Sequence, residues 1–180
     1  MVLCTMLDPL AATTKTDVVI THPNRDKSVV RATRATVIVL LLASAALVLT
    51  ITFGGLETLE GAGPVAIQLF FVLVYLLLAF YAGRWNRGVL PVAAALAVLL
   101  GTFALVAAPG WFDRDKTGFA QPPLGAGLLG LLTLLVIPVQ VLLVVFAMRG
   151  FSQGWNVERE VRRSPPPRPG DYGGAAPHAA

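Results

Sequence analysis

Four stretches of this chain, Ala35 to Phe53, Pro64 to Gly83, Gly88 to Ala108 and Gly125 to Met148, run for 19 to 24 residues without one Asp, Glu, Lys, Arg or His. A helix needs about 20 apolar residues to cross the hydrocarbon core of a bilayer, and only helices or closed barrels satisfy their backbone polar groups there. The expected fold is therefore all-α: a polytopic integral membrane protein built as a bundle of four transmembrane helices. A mean hydropathy of +0.72, with 56% hydrophobic and 13% charged residues among 180, leaves only short loops and two tails outside these spans.

The charge is distributed as a topology signal. Five Lys or Arg precede the first span, two lie in the turn Arg84-Trp85-Asn86-Arg87 and five follow the fourth span. The other two loops hold only Arg114 and Lys116. Twelve against two places both termini and the middle turn on the cytoplasmic side, in an N-in/C-in arrangement within the plasma membrane. Tyr81, Trp85 and Trp155 then fall at the inner interface and Trp111 and Phe112 at the outer one. Because the basic residues flank helix ends, the net charge of +4 does not point to nucleic acid as a partner.

Outside the spans the chain reads as tails. Residues 1–34 form a cytoplasmic N-terminal tail without sustained periodicity, and the status of residues 1–24 as part of the native protein is open. No cleavable signal peptide is expected, because the first apolar run is long enough to span and no small-residue cleavage pattern follows it. Residues 149–163 read as a cytoplasmic interfacial segment, and residues 164–180, rich in Pro, Gly and Ala, as a disordered tail. In the interfacial segment Arg149, Phe151 and Trp155 are candidate docking residues. Phe151 and Trp155 are one helical turn apart, and Arg149 reaches toward headgroups.

Lipid gives helices no hydrophobic reason to associate, so close approach of small residues and interhelical hydrogen bonds must hold the bundle. Ala93, Ala97 and Gly101 recur every four residues and predict a packing stripe, which makes span three the expected most buried helix. Polar residues inside the spans pair by depth. Gln140 comes level with Tyr75, Gln68 with Thr50, and Thr102 with Thr133. Pro138 removes a backbone donor, frees the carbonyl of Leu134 and predicts a bend beside Gln140. Pro138, Gln140, Tyr75 and Gln68 are thus the candidate polar or hinge residues within the membrane.

The chemistry-bearing residues are sparse. Cys4 stands alone, so no disulfide or CxxC pair forms, and His22 and His178 lie in the tails, away from any haem or metal position in the bundle. No span carries a carboxylate of the kind proton-coupled carriers use, and Asp113 and Asp115 sit beside Arg114 and Lys116 in a solvated loop. The expectation is no catalytic residue, no cofactor, no metal and no enzyme.

The run Pro138-Val139-Gln140-Val141-Leu142-Leu143, continuing through Phe146-Ala147-Met148-Arg149-Gly150-Phe151 to Gly154-Trp155-Asn156-Val157-Glu158 in an Ala/Val/Leu/Gly/Arg-heavy chain, resembles uncharacterised small four-span integral membrane proteins of high-GC Gram-positive (actinobacterial) bacteria. The resemblance covers roughly residues 31–162. It implies a bacterial cell membrane and the N-in/C-in topology, and it carries over no activity. Two functional expectations follow from the residues. One is a non-enzymatic accessory or scaffolding subunit that contacts the lipid bilayer and a membrane protein partner or further copies of itself. The other is a small transporter or lipid-handling protein using the kinked fourth helix.

Overall fold

A computed structural model describes residues 18–21, 27–58, 62–114, 122–155 and 159–162. The expectations placed on residues 1–17, 22–26 and 163–180, including Cys4, His22, His178 and the Pro/Gly-rich tail, lie outside these residues. The chain divides into two compact units, residues 22–157 and residues 1–21 with 158–180.

The first unit carries four helices, α1 (Ser28–Gly54), α2 (Ala62–Gly83), α3 (Val89–Arg114) and α4 (Ala126–Ser152), with a single 3₁₀ turn at Leu56–Thr58. All four are long and apolar enough to cross a membrane, and the chain is a multi-pass membrane protein. Their outward faces are hydrophobic, as lipid contact requires: Val106 is 75% exposed, Phe53 and Val39 62%, and Phe70 and Phe80 57%. Neighbouring helices run antiparallel. The hairpins α1–α2 and α3–α4 join chiefly through α1 against α4, while α2 and α3 touch only lightly.

One end of this unit is basic, with Lys27, Arg31, Arg34, Arg84, Arg87 and Arg149. The opposite end holds Glu57, Asp113 and Arg114. Helix α1 starts at Ser28, inside the stretch read from sequence as an N-terminal tail, because Val30 and Thr33 are buried and extend its packed face past the charge-free run. Helix α3 continues through Pro109 to Arg114, where Ala108 and Trp111 still pack into the bundle. The most buried helix is α1, not α3: 44% of its apolar window is buried against 33% for each of the others. It lies between α2 and α4 and so has two partners, whereas α3 packs mainly on α4.

The second unit carries β1 (Val18–Thr21) and β2 (Arg159–Arg162), paired antiparallel with Val18 opposite Arg162 and Thr21 opposite Arg159. No strand is expected from the sequence reading, yet Val18, Val19, Ile20 and Thr21 are all β-branched, which favours extended backbone.

Candidate functional site

Each of the six Ser and Thr hydroxyls in the predicted spans donates to the carbonyl four residues before it. Thr36 bonds to Ala32, Ser44 to Leu40, Thr50 to Ala46, Thr52 to Val48, Thr102 to Val98 and Thr133 to Leu129, at 2.7–3.0 Å. A hydroxyl facing lipid finds no water, so it turns back on its own helix. That bond uses the only proton, and the oxygen can still accept.

Ser44 accepts in this way. In the middle of the bundle Tyr75 on α2 donates its hydroxyl to Oε1 of Gln140 on α4 at 2.9 Å, and Nε2 of Gln140 donates to Oγ of Ser44 on α1, also at 2.9 Å. Ser44 in turn donates to the Leu40 carbonyl at 2.7 Å. The three bonds run in one consistent direction, from Tyr75 through Gln140 and Ser44 to backbone, and Tyr75, Gln140 and Ser44 are all buried. The depth match between Gln140 and Tyr75 thus appears as a direct bond. Ser44 is the member that sequence reasoning missed, although its depth in span one carried the signal.

The other depth matches come out differently. Gln68 meets Thr52, not Thr50: Oγ1 of Thr52 is in hydrogen-bond contact with Oε1 of Gln68, while Thr50 faces outward. The two threonines are nearly at one height, but about 100° of rotation per residue puts them on opposite sides of α1. The single proton of Thr52 also has the Val48 carbonyl within 2.7 Å, so two acceptors compete for it and this tie is the weaker of the two. Thr102 and Thr133 each bond within their own helix, the first exposed and the second buried.

Pro138 lies within α4 but on its exposed side, turned away from the polar network, and the helix runs on through it. A half-open cavity of ≈ 90 Å³ lies between the four helices toward the acidic end, where Gln68 and Thr133 are its polar members. A groove of ≈ 270 Å³ opens between α3 and α4, with Ala97, Gly101 and Thr102 on one side and Gln140 at its floor.

Of the predicted small-residue stripe, Ala93 and Ala97 are fully buried and Gly101 is half-buried over the Gln140 side chain. A Cβ at Gly101 would stand 3.5 Å from Cβ of Gln140, an ordinary contact, so the stripe tolerates alanine there. Packing is tighter at Gly130, where a Cβ would meet the Phe112 ring at 2.8 Å, and tighter still at Gly54 and Gly55, where it would meet Leu124 and, at 2.5 Å, Trp111.

At the basic end Arg149 is exposed and Phe151 is 37% exposed, but Trp155 is fully buried. The expectation that Trp155 shares an exposed docking face with Phe151 is corrected here. Helix α4 ends at Ser152, Gly154 takes φ 59°, open to glycine without strain, and the chain folds Trp155 back against Gly150. Gln153 links the pieces, accepting from Trp155 Nε1 at 3.3 Å and donating from Nε2 to Thr33 Oγ1 on α1 at 3.0 Å.

Among the described residues no group of three or more His, Cys, Asp or Glu side chains is placed to hold a metal ion. Comparison with models of known protein families, with characterised proteins and with solved structures finds no match to this chain.

Proposed function

We propose that this chain is a non-enzymatic accessory or scaffolding subunit of the plasma membrane, with both termini cytoplasmic, acting by contact with a membrane protein partner or with further copies of itself. Tyr75, Gln140 and Ser44 bond to one another and then to backbone, so the strongest polar groups in the membrane are used to fix helix register, even though Gln140 also borders the groove between α3 and α4. The cavity that Gln68 and Thr133 line is small, ≈ 90 Å³, whereas the open grooves between α3 and α4 reach ≈ 270 and ≈ 390 Å³. The resemblance to actinobacterial four-span proteins supports a bacterial cell membrane as its setting.

A second reading, a small transporter or lipid-handling protein, is favoured by one feature, the presence of Gln68 and Thr133 in that cavity. Complementation separates the two. In a deletion strain, Gln140→Leu and Gln68→Leu chains present at normal level are expected to rescue the phenotype. Loss of rescue by a variant that still folds would overturn the contact reading in favour of transport.

A further inference from the structure

The basic end holds three arginines on aromatic rings, Arg84 over Phe80 at 5.6 Å and two that sit closer. Cζ of Arg34 lies 4.1 Å from the centroid of the Trp85 ring, and Cζ of Arg87 lies 4.7 Å over the ring of Phe151. Trp85 stands edge-on to the fully buried Trp155, at 5.9 Å between centroids and 83° between planes, so the platform under Arg34 is braced from beneath.

The turn that presents Trp85 is fixed and strained. Asn86 donates its backbone N–H to the Tyr81 carbonyl at 3.1 Å, and the Asn86 side chain accepts from Gly88 N at 3.0 Å. Trp85 itself takes φ 63°, a left-handed conformation that a bulky residue rarely adopts. Such strain persists where the placement of a side chain matters.

A guanidinium seated over a ring keeps its N–H edges for other acceptors, and that planar fork matches the two oxygens of a phosphate. Among the described residues of the helical unit, both carboxylates, Glu57 and Asp113, belong to the opposite end. We propose that Arg34 and Arg87, held on Trp85 and Phe151, bind the phosphate of an anionic phospholipid headgroup. A lipid fits better than a soluble phosphate, because the site lies where the apolar spans end and is flanked by exposed Phe80 and Tyr81, rings that favour the headgroup level. This inference does not depend on the accessory-subunit reading.

The test is native mass spectrometry of the full chain released from vesicles of phosphatidylglycerol or of phosphatidylcholine, with Arg34→Lys/Arg87→Lys as the comparison. That variant keeps the net charge and removes the fork, so it separates a built site from general attraction to a charged surface. Wild type is expected to retain phosphatidylglycerol over phosphatidylcholine, and the double variant to lose that preference by about tenfold. Arg87→Lys alone, which leaves the Trp85–Trp155 pair intact, is expected to lose part of it and stands in if the double variant unfolds. Equal retention of both lipids by wild type, undiminished preference in the lysine variants, or displacement of the lipid by excess inorganic phosphate would each overturn the proposal.

Discussion

Three helices meet at Gln140, and its amide is matched at both ends, which makes it the most consequential polar residue of the bundle. Tyr75→Phe removes one bond and is expected to cost about 0.6 kcal/mol, up to about 1.7, whereas Gln140→Leu strips both partners at once and is expected to cost about 1–3 kcal/mol. In the Gln140→Leu background, Tyr75→Phe should cost nothing, since the tyrosine hydroxyl has already lost its acceptor. Unfolding of the four chains in mild detergent, titrated with a denaturing detergent, measures all three values. The Tyr75–Gln140 tie was legible in the sequence, because counting residues inward from the span ends gives depth. Azimuth was not legible in the same way, which is why Thr50 was chosen where Thr52 faces Gln68. Ser44 went unnoticed because a serine in an apolar run reads as a small residue until an amide is found opposite it.

At the level of elements, charge-free length located all four helices and placed the end of α2 at Gly83, and it misplaced ends where packing outlasts apolar composition. Helix α1 begins among Arg31 and Arg34 because only one of its faces carries charge, and α3 passes Pro109 because Trp111 is buried beyond it. The return of Trp155 and the pairing of β1 with β2 depend on contacts that sequence spacing does not encode. Small-residue spacing picked out the buried Ala93 and Ala97 of α3 but did not rank the glycines of α3 and α4. The structure ranks them by what a side chain would strike. Gly130→Leu drives into the Phe112 ring and is expected to destabilise by about 1–3 kcal/mol. Gly101→Ala lands at ordinary contact distance and is expected to change stability by less than about 0.5 kcal/mol. Thermal unfolding of both variants in the same detergent tests the contrast, and equal loss at the two sites would contradict it.

For the whole molecule, the asymmetry between a basic end and an acidic end carries the orientation. In a Cys4→Ser background, a membrane-impermeant maleimide applied to intact cells is expected to label Glu57→Cys and to spare Asn86→Cys until the cells are opened, because positive loops stay on the cytoplasmic side. The reverse pattern would invert the bundle in the membrane. The proposed contact role rests on four helices with apolar outer faces and on buried polar groups that bond to one another. Affinity purification of the tagged chain from its native membranes in mild detergent, with mass spectrometry of what comes with it, tests that most directly. The account predicts a stoichiometric membrane protein partner or a defined homo-oligomer. A monomer that emerges alone with a bound small molecule in its interior, under conditions that preserve other membrane complexes, would contradict it.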